Sequence, residues 1–304
     1  MSFRSGFACF VGRPNAGKST LTNALVGEKV AITSSKPQTT RHAIRGLVHR
    51  PDAQLVLVDT PGLHRPRNTL GQRLNDIVRT TWAEVDTIAM CFPADQKIGP
   101  GDRFLVAELA RIRRAPVLAV VTKTDLVAPE RVGEQLMAVQ EAGRAAGLEW
   151  REIVPVSAVN GDQVGLLSDL LVATLPEGPA LYPEGQLTDE PETTLVAEIV
   201  REAALEGVHD ELPHSIAVVV DEMTPREDRP ADRPLLDVRV NVYVERDSQK
   251  GIVIGHKGAR LKEIGTTSRG QIERLLGTPV HLDLHVKVAK DWQRDPKQLR
   301  KLGF

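Results

Sequence analysis

The stretch Phe7-Ala8-Cys9-Phe10-Val11-Gly12-Arg13-Pro14-Asn15-Ala16-Gly17-Lys18-Ser19 decides the fold. Its first five residues form a continuous apolar run, short enough for a strand covered on both faces. Gly12 to Ser19 then fill the eight positions of a phosphate-binding loop, and Thr20-Leu21-Thr22-Asn23-Ala24-Leu25 opens a helix. Strand, Gly-rich turn and helix start in that order aim backbone N–H groups and the positive end of a helix dipole at a β-phosphate. Lys18 reaches the β and γ oxygens, Ser19 offers a hydroxyl to magnesium, and Arg13, Pro14, Asn15, Ala16, Gly17 and Thr20 complete the nucleotide-binding set. A nucleoside triphosphate with Mg2+ is the expected ligand.

Downstream, β-rich apolar runs recur at Leu55–Val58, Val85–Phe92, Pro116–Val121 and Ile153–Val156, with helical patterns between most of them. This alternation predicts a doubly wound, mostly parallel sheet in an α/β domain, with ligand loops at the carboxyl ends of the strands. The motifs fall at those ends. Asp59-Thr60-Pro61-Gly62 closes the second run, placing a carboxylate to hold magnesium and a Gly62 N–H to meet a γ-phosphate. Between it and the first loop lies the polar stretch Thr33 to Arg41, where a threonine can complete the magnesium shell only when the γ-phosphate is present. Thr122-Lys123-Thr124-Asp125 follows the fourth run, where guanine readers carry Asn-Lys-x-Asp. Asp125 can accept from the ring N–H and exocyclic amine of guanine, and burial of that carboxylate would penalise adenine by several kcal/mol. Thr122 departs from the usual Asn, which predicts a less rigid loop or lower affinity. Ser157-Ala158 would place the Ala158 N–H near the guanine carbonyl.

From Pro176 the composition changes. Pro176, Pro179, Pro183 and Pro191 with Gly178 and Gly185 read as an extended linker over residues 176–191 between a first domain (1–175) and a second (192–290), followed by a tail (291–304). The second domain opens with a helical pattern through Leu195, Ile199 and Leu205. Strands at Ile216–Asp221 and Leu236–Val244 follow, then a helix at Ala259–Leu276 and a strand at Val280–Val288. The chain of 304 residues has a net charge of -1, but the part from Arg246 onward carries 13 Lys and Arg against 6 Asp and Glu. That excess favours an anionic partner there, nucleic acid first. Within it, Gly251-Ile252-Val253-Ile254-Gly255-His256-Lys257-Gly258 sets an apolar turn before a Gly-x-x-Gly loop, and Ala259-Arg260 starts the next helix. Two glycines let the backbone approach a sugar-phosphate chain, and Lys257 and Arg260 add charge. Just before the tail, Lys287 and Lys290 offer phosphate contacts, while Trp292 in the tail reads as packed on its own domain rather than as a stacking surface.

Only two cysteines occur, Cys9 and Cys91, both inside apolar runs, so a reducing cytoplasm is the expected compartment and no disulfide framework is expected. No apolar run approaches the length of a membrane span, and no charged-then-apolar leader precedes the phosphate loop.

The motifs, in their order and spacing, resemble the Era-type GTPases of the translation-factor-related class, and the likeness runs over nearly the entire chain. It is carried by Arg13-Pro14-Asn15, Gln38-Thr39-Thr40-Arg41 and Asp59-Thr60-Pro61-Gly62-Leu63-His64. The second half resembles a KH domain of type II, with Ile254, Gly255, His256, Lys257, Gly258 and Arg260 in the RNA-binding loop. The resemblance implies a GTP-hydrolysing switch that binds 16S rRNA near its 3′ end and assists assembly of the small ribosomal subunit. It implies Ser19, Thr40 and Asp59 as magnesium ligands, and Asn15 as a residue that helps bind potassium. Leu63 would stand where other GTPases keep a water-orienting glutamine, so hydrolysis would rest on Lys18, Asn15, Thr40 and Gly62 with slow turnover. It also implies a monomer with, at most, weak peripheral membrane association. Two other readings compete: an RNA-binding scaffold indifferent to nucleotide, suggested by Thr122, and a tRNA-modification GTPase, opposed by the KH loop and the lack of a C-terminal cysteine.

Overall fold

The computed structural model describes residues 2–33, 40–41, 43–63, 66, 68–112, 114–208, 212–227, 229–230 and 233–304. Of the residues singled out above, Pro37, Gln38, Thr39 and His64 lie outside the described residues. The chain divides into two compact units, the second made of Glu190–Phe304 with a short stretch around Leu70.

The first unit is built on strands β1 (Arg4–Val11), β2 (Ile44–His49), β3 (Ala53–Asp59), β4 (Thr87–Pro93), β5 (Val117–Thr122) and β6 (Ile153–Pro155). They stand in the order β2-β3-β1-β4-β5-β6. All neighbours are parallel except β2, which runs antiparallel to β3. Successive residues of each inner strand face opposite sides, so both sides must be covered by helices. Ala8, Phe10 and Cys91 pack with Leu21 and Leu25 of α1 (Lys18–Val26) and with Leu167 and Leu171 of α5 (Val164–Ala173). Cys9, Val11 and Met90 pack on the other side with Val78 and Trp82 of α2 (Thr69–Glu84), Leu105 and Leu109 of α3 (Pro100–Leu109), and Val139 of α4 (Pro129–Ala146). The two cysteines are therefore buried on opposite faces of the sheet and cannot pair. β2 is the strand that sequence periodicity misses, because Arg45, Gly46 and His49 interrupt its apolar residues.

The Pro-rich stretch is extended, but it is not free. Through Asp189 it belongs to the first unit. Ser5 Oγ donates to Pro179 O (2.6 Å), and Gln54 Oε1 accepts the N–H groups of Leu181 (2.6 Å) and Tyr182 (2.9 Å). The Leu47 N–H donates to Leu187 O (2.9 Å), and Arg45 pairs with Asp189 at 2.8 Å. The stretch is a strap along the β2 edge of the sheet.

The second unit runs α6 (Glu192–Leu205), the short α7 (Leu212–Ser215), β7 (Ala217–Pro225), β8 (Leu236–Val244), α8 (Asp247–Ile254), α9 (Ala259–Leu276), β9 (Val280–Val288) and α10 (Pro296–Lys301). β8 is central, antiparallel to β7 and parallel to β9, with Leu236 opposite Val280 and Val244 opposite Val288. Val238, Val240, Val242 and Val244 project into one core with Val196 and Val200 of α6 and Ile264 and Ile272 of α9. Trp292 is fully buried, donates to Ser215 O (3.0 Å) and stacks on Phe304, so it packs on its own unit and offers no stacking surface to a partner.

Candidate nucleotide site and RNA groove

The phosphate loop joins β1 to α1 at the carboxyl end of the sheet. Gly12 leaves β1 at φ 159°, where an added Cβ would stand 2.9 Å from Cys91 O and 3.1 Å from Ala16 Cβ, so the bend admits no side chain. Asn15 holds a left-handed φ of 63° at the exposed top of the loop. The Ala16 N–H turns inward to Arg13 O (3.2 Å). Lys18 is buried, and its ammonium donates to Gly12 O and Arg13 O, both at 3.2 Å. Burial lowers its pKa from the ordinary lysine value, and attraction to Asp59 opposes that shift. Gly17 closes the loop and Thr20 continues α1 one turn in.

Three oxygens proposed for magnesium converge beside Lys18. Ser19 Oγ donates to Asp59 Oδ2 at 2.7 Å, Thr40 Oγ1 donates to the same oxygen at 3.2 Å, and the two hydroxyls lie 3.1 Å apart. They come from α1, the stretch before β2 and the end of β3. Two hydroxyls and a carboxylate are the hard oxygen donors that a divalent cation such as Mg2+ takes. Gly62 lies against the phosphate loop: a Cβ on it would meet Pro14 N at 3.5 Å and Gly12 O at 3.6 Å. Leu63 packs into the apolar core on the α2 side and offers no proton acceptor.

At the base-recognition end, Thr122 makes a contact that its place in the sequence does not announce. The Thr122 hydroxyl donates to Ala16 O at 2.8 Å, buried, so this residue still ties the base loop to the phosphate loop. Lys123 takes a left-handed φ of 58° and starts the single helical turn that carries Asp125. Asp125 is exposed, and its Oδ1 accepts from Ser157 Oγ at 2.6 Å. Ser157, buried, also accepts the Asn160 N–H (3.1 Å), so it steers the carboxylate while Ala158 follows beside it. The Ser157–Asp125 contact is a role the sequence does not announce, since two hydrophilic residues 32 positions apart carry no local signal.

In the second unit, α8 ends at Gly255 (φ 72°), a single helical turn spans His256–Gly258, and α9 begins at Ala259. An added Cβ on Gly255 would stand 2.7 Å from Arg260 Cβ, so the loop requires glycine there. His256 and Lys257 are exposed, and Ile254 and Gly258 are half-buried. The Arg260 guanidinium has backbone partners, donating to Ala204 O (3.3 Å) and to Glu206 O and so capping the carbonyl end of α6. From Gly258 a groove of about 410 Å3 extends between α9 and the edge strand β9. α9 contributes Leu261, Lys262, Thr266 and Arg269, and β9 contributes His281, Leu282 and Leu284. Leucine side chains beside the cations Lys262 and Arg269 of α9 suit unstacked bases and a phosphate backbone. Lys287 and Lys290 are exposed but do not line it. Sequence reasoning missed Lys262, Arg269 and His281 because only the β8–β9 pairing places the strand opposite α9.

Comparison with known proteins settles the family. The model of the 50S ribosome-binding GTPase family matches residues 7–123, and that of the KH domain matches residues 211–293. The chain is 73% identical over 301 residues to GTPase Era of Streptomyces coelicolor, covering 99% of this chain and 95% of that protein. The chain belongs to the Era family of GTPases. It is also 65% identical over 304 residues to GTPase Era of Mycobacterium avium, covering 99% of each chain. Two solved Era structures match this Era-family chain over 99% of each partner. One is a point variant of Aquifex aeolicus Era bound to GDP and AlF4-, at 36% identity and a TM-score of 0.92. The other is Era in complex with MgGDPNP and nucleotides 1506–1542 of 16S ribosomal RNA, at 38% identity and a TM-score of 0.93. Among the described residues no helix is long and apolar enough to cross a membrane.

Proposed function

We propose that this Era-family GTPase binds GTP with Mg2+ and the 3′-terminal segment of 16S rRNA, and that its nucleotide state times a step in maturation of the small ribosomal subunit. The groove between α9 and β9, opening at the Gly255–Gly258 loop, carries the RNA half of this reading. It sets leucines beside Lys262 and Arg269, a mix that suits single-stranded RNA, and the solved relative holds that rRNA segment together with MgGDPNP. Lys257, Lys262 and Arg269 would meet phosphates, with Lys287 and Lys290 outside the groove as secondary contacts. Bound at Ser19, Thr40 and Asp59, magnesium supplies positive charge to the transferring phosphate.

The chain's own residues supply the rest. Lys18 and the backbone N–H groups of the phosphate loop hold the β and γ oxygens, and Gly62 presents its N–H to the γ-phosphate. Asn15, at the exposed top of the loop, would help bind a potassium ion. With Leu63 unable to orient water, intrinsic turnover is slow. Thr40 reports the γ-phosphate because its hydroxyl joins the same oxygen cluster. Asp125, steered by Ser157, reads guanine. The protein acts as a cytoplasmic monomer in this reading.

The test measures affinity for an RNA copying the small-subunit 3′ end, with GDP and with a non-hydrolysable GTP analogue, for the native chain and Gly258→Asp. Gly258 sits at φ 80° with open space where a Cβ would point, so the variant meets no neighbouring atom but brings both a negative charge and left-handed backbone strain to the loop. Tight binding with the GTP analogue, weakened by GDP and by the substitution, is expected. Equal affinity in both nucleotide states would remove the switch, and equal affinity of the variant would remove the groove.

A further inference from the structure

Phosphate chemistry leaves one loop side chain unexplained. Arg13 points away from the phosphate pocket toward α3, where its Nε–H donates to Asp102 Oδ1 at 2.7 Å. Asp102 is 1% exposed, and its Oδ2 accepts the Gly99 N–H at 2.8 Å. The stem of Arg13 lies over Gly101, where a Cβ would stand 3.1 Å from Arg13 Cδ. The first turn of α3 thus provides a recess for the stem and a buried carboxylate for the head. The main chain of Arg13 faces the other way, its carbonyl accepting the Ala16 N–H and the Lys18 ammonium, each at 3.2 Å. Gly62 rests on the flanking atoms of Gly12 and Pro14. One residue therefore joins α3, the catalytic lysine and the support of the γ-phosphate glycine.

We propose that Asp102 is a positioning residue for GTP hydrolysis, acting through Arg13 to fix the 12–14 backbone that holds Lys18 and supports Gly62. Neither Asp102 nor the Arg13 guanidinium touches the reacting groups. Groups aligned on a transferring phosphate lose rate steeply when displaced by a fraction of an ångström. The diphosphate of GDP is held by many N–H groups and tolerates the same shift better. The signature of the brace is consequently a loss in kcat with little loss in GDP affinity.

The experiment compares Asp102→Asn, Arg13→Met and the double variant by GTP turnover at saturation and by GDP titration. Asparagine keeps an oxygen for the Gly99 N–H, so the helix cap survives while the ion pair is lost. Methionine leaves Asp102 and its cap intact, so failure of one variant to fold leaves the other informative. Each single variant is expected to lower kcat about tenfold with GDP affinity changed less than about threefold. The double variant is expected to match the slower single variant, since both changes break one link. Unchanged or increased kcat in Arg13→Met, parallel losses of kcat and GDP affinity, or multiplicative losses in the double variant would each overturn the proposal.

Discussion

Lys18 brings a positive charge into a buried site where its local partners are two carbonyls and the nearby carboxylate of Asp59. Desolvation outweighs these and lowers its pKa below the ordinary 10.5. Because the folded value lies below the unfolded one, the unfolded chain binds the proton more tightly between the two. Stability owed to this residue then rises as pH climbs through the folded pKa, and levels off above about 10.5. A triphosphate reverses the imbalance by supplying the missing negative charge. Lys18→Met is therefore expected to leave urea-denaturation stability without nucleotide at least equal to that of the native chain, and to abolish the alkaline rise. GDP at a hundredfold excess over its Kd stabilises the native chain by about 2.7 kcal/mol and should do nothing for the variant. Lower stability of the nucleotide-free variant at neutral pH would show that the lysine is a net structural asset. Thr122 has the opposite character, a neutral group fully satisfied by Ala16 O. Thr122→Val keeps the shape and leaves that carbonyl unpaired, so GDP affinity by titration should fall about tenfold; no change would mean the tie between the two loops is dispensable.

The strap along β2 shows why part of the architecture is hidden from sequence reading. Phosphate loop, strand-terminal Asp59 and base loop are legible because each is a local pattern whose backbone geometry follows from its own residues. β2 is not, since an edge strand between β3 and a strap tolerates Arg45, Gly46 and His49, which break its alternation. Nor is the strap, whose prolines suggest a loose connector while its hydrogen-bond partners lie more than 120 residues upstream. The backbone partners of Arg260 are hidden for the same reason: the carbonyls it caps lie 54 to 56 residues earlier. Gln54 concentrates the strap's attachment, with Oε1 accepting two N–H groups and Nε2 donating to Tyr182 O at 2.9 Å. Gln54→Leu leaves those partly buried groups without their partner, which should cost about 1 kcal/mol. Limited proteolysis should then cut between Pro183 and Gln186 faster than in the native chain, with a lower urea midpoint. Equal cleavage rates would mean that Leu47, Arg45 and His49, whose Nε2 lies 2.6 Å from Gln186 O, hold the strap without it.

Charge is divided along the chain rather than spread over it: the residues before Arg246 carry an acidic excess that nearly cancels the basic excess after it. A near-neutral total therefore conceals a cationic surface on the part that holds the groove, and a long-range attraction for polyanions that salt should screen. Arg260 is held by backbone carbonyls, while Lys257, Lys262 and Arg269 stand exposed at the loop and along α9, so these three are expected to carry the attraction. If those three each neutralise one phosphate of a single-stranded RNA, the logarithm of affinity should fall with the logarithm of salt at a slope of about -2. Lys262→Ala and Arg269→Ala should each flatten that slope by about 0.7, and weaken binding uniformly across RNA sequences. Arg260→Ala should leave the slope unchanged and instead lower stability, since it uncaps α6. A slope that responds to Arg260 but not to Lys262 or Arg269 would move the phosphate path off the α9–β9 groove, and the bound strand would then have to follow the exposed lysines Lys287 and Lys290 beyond it.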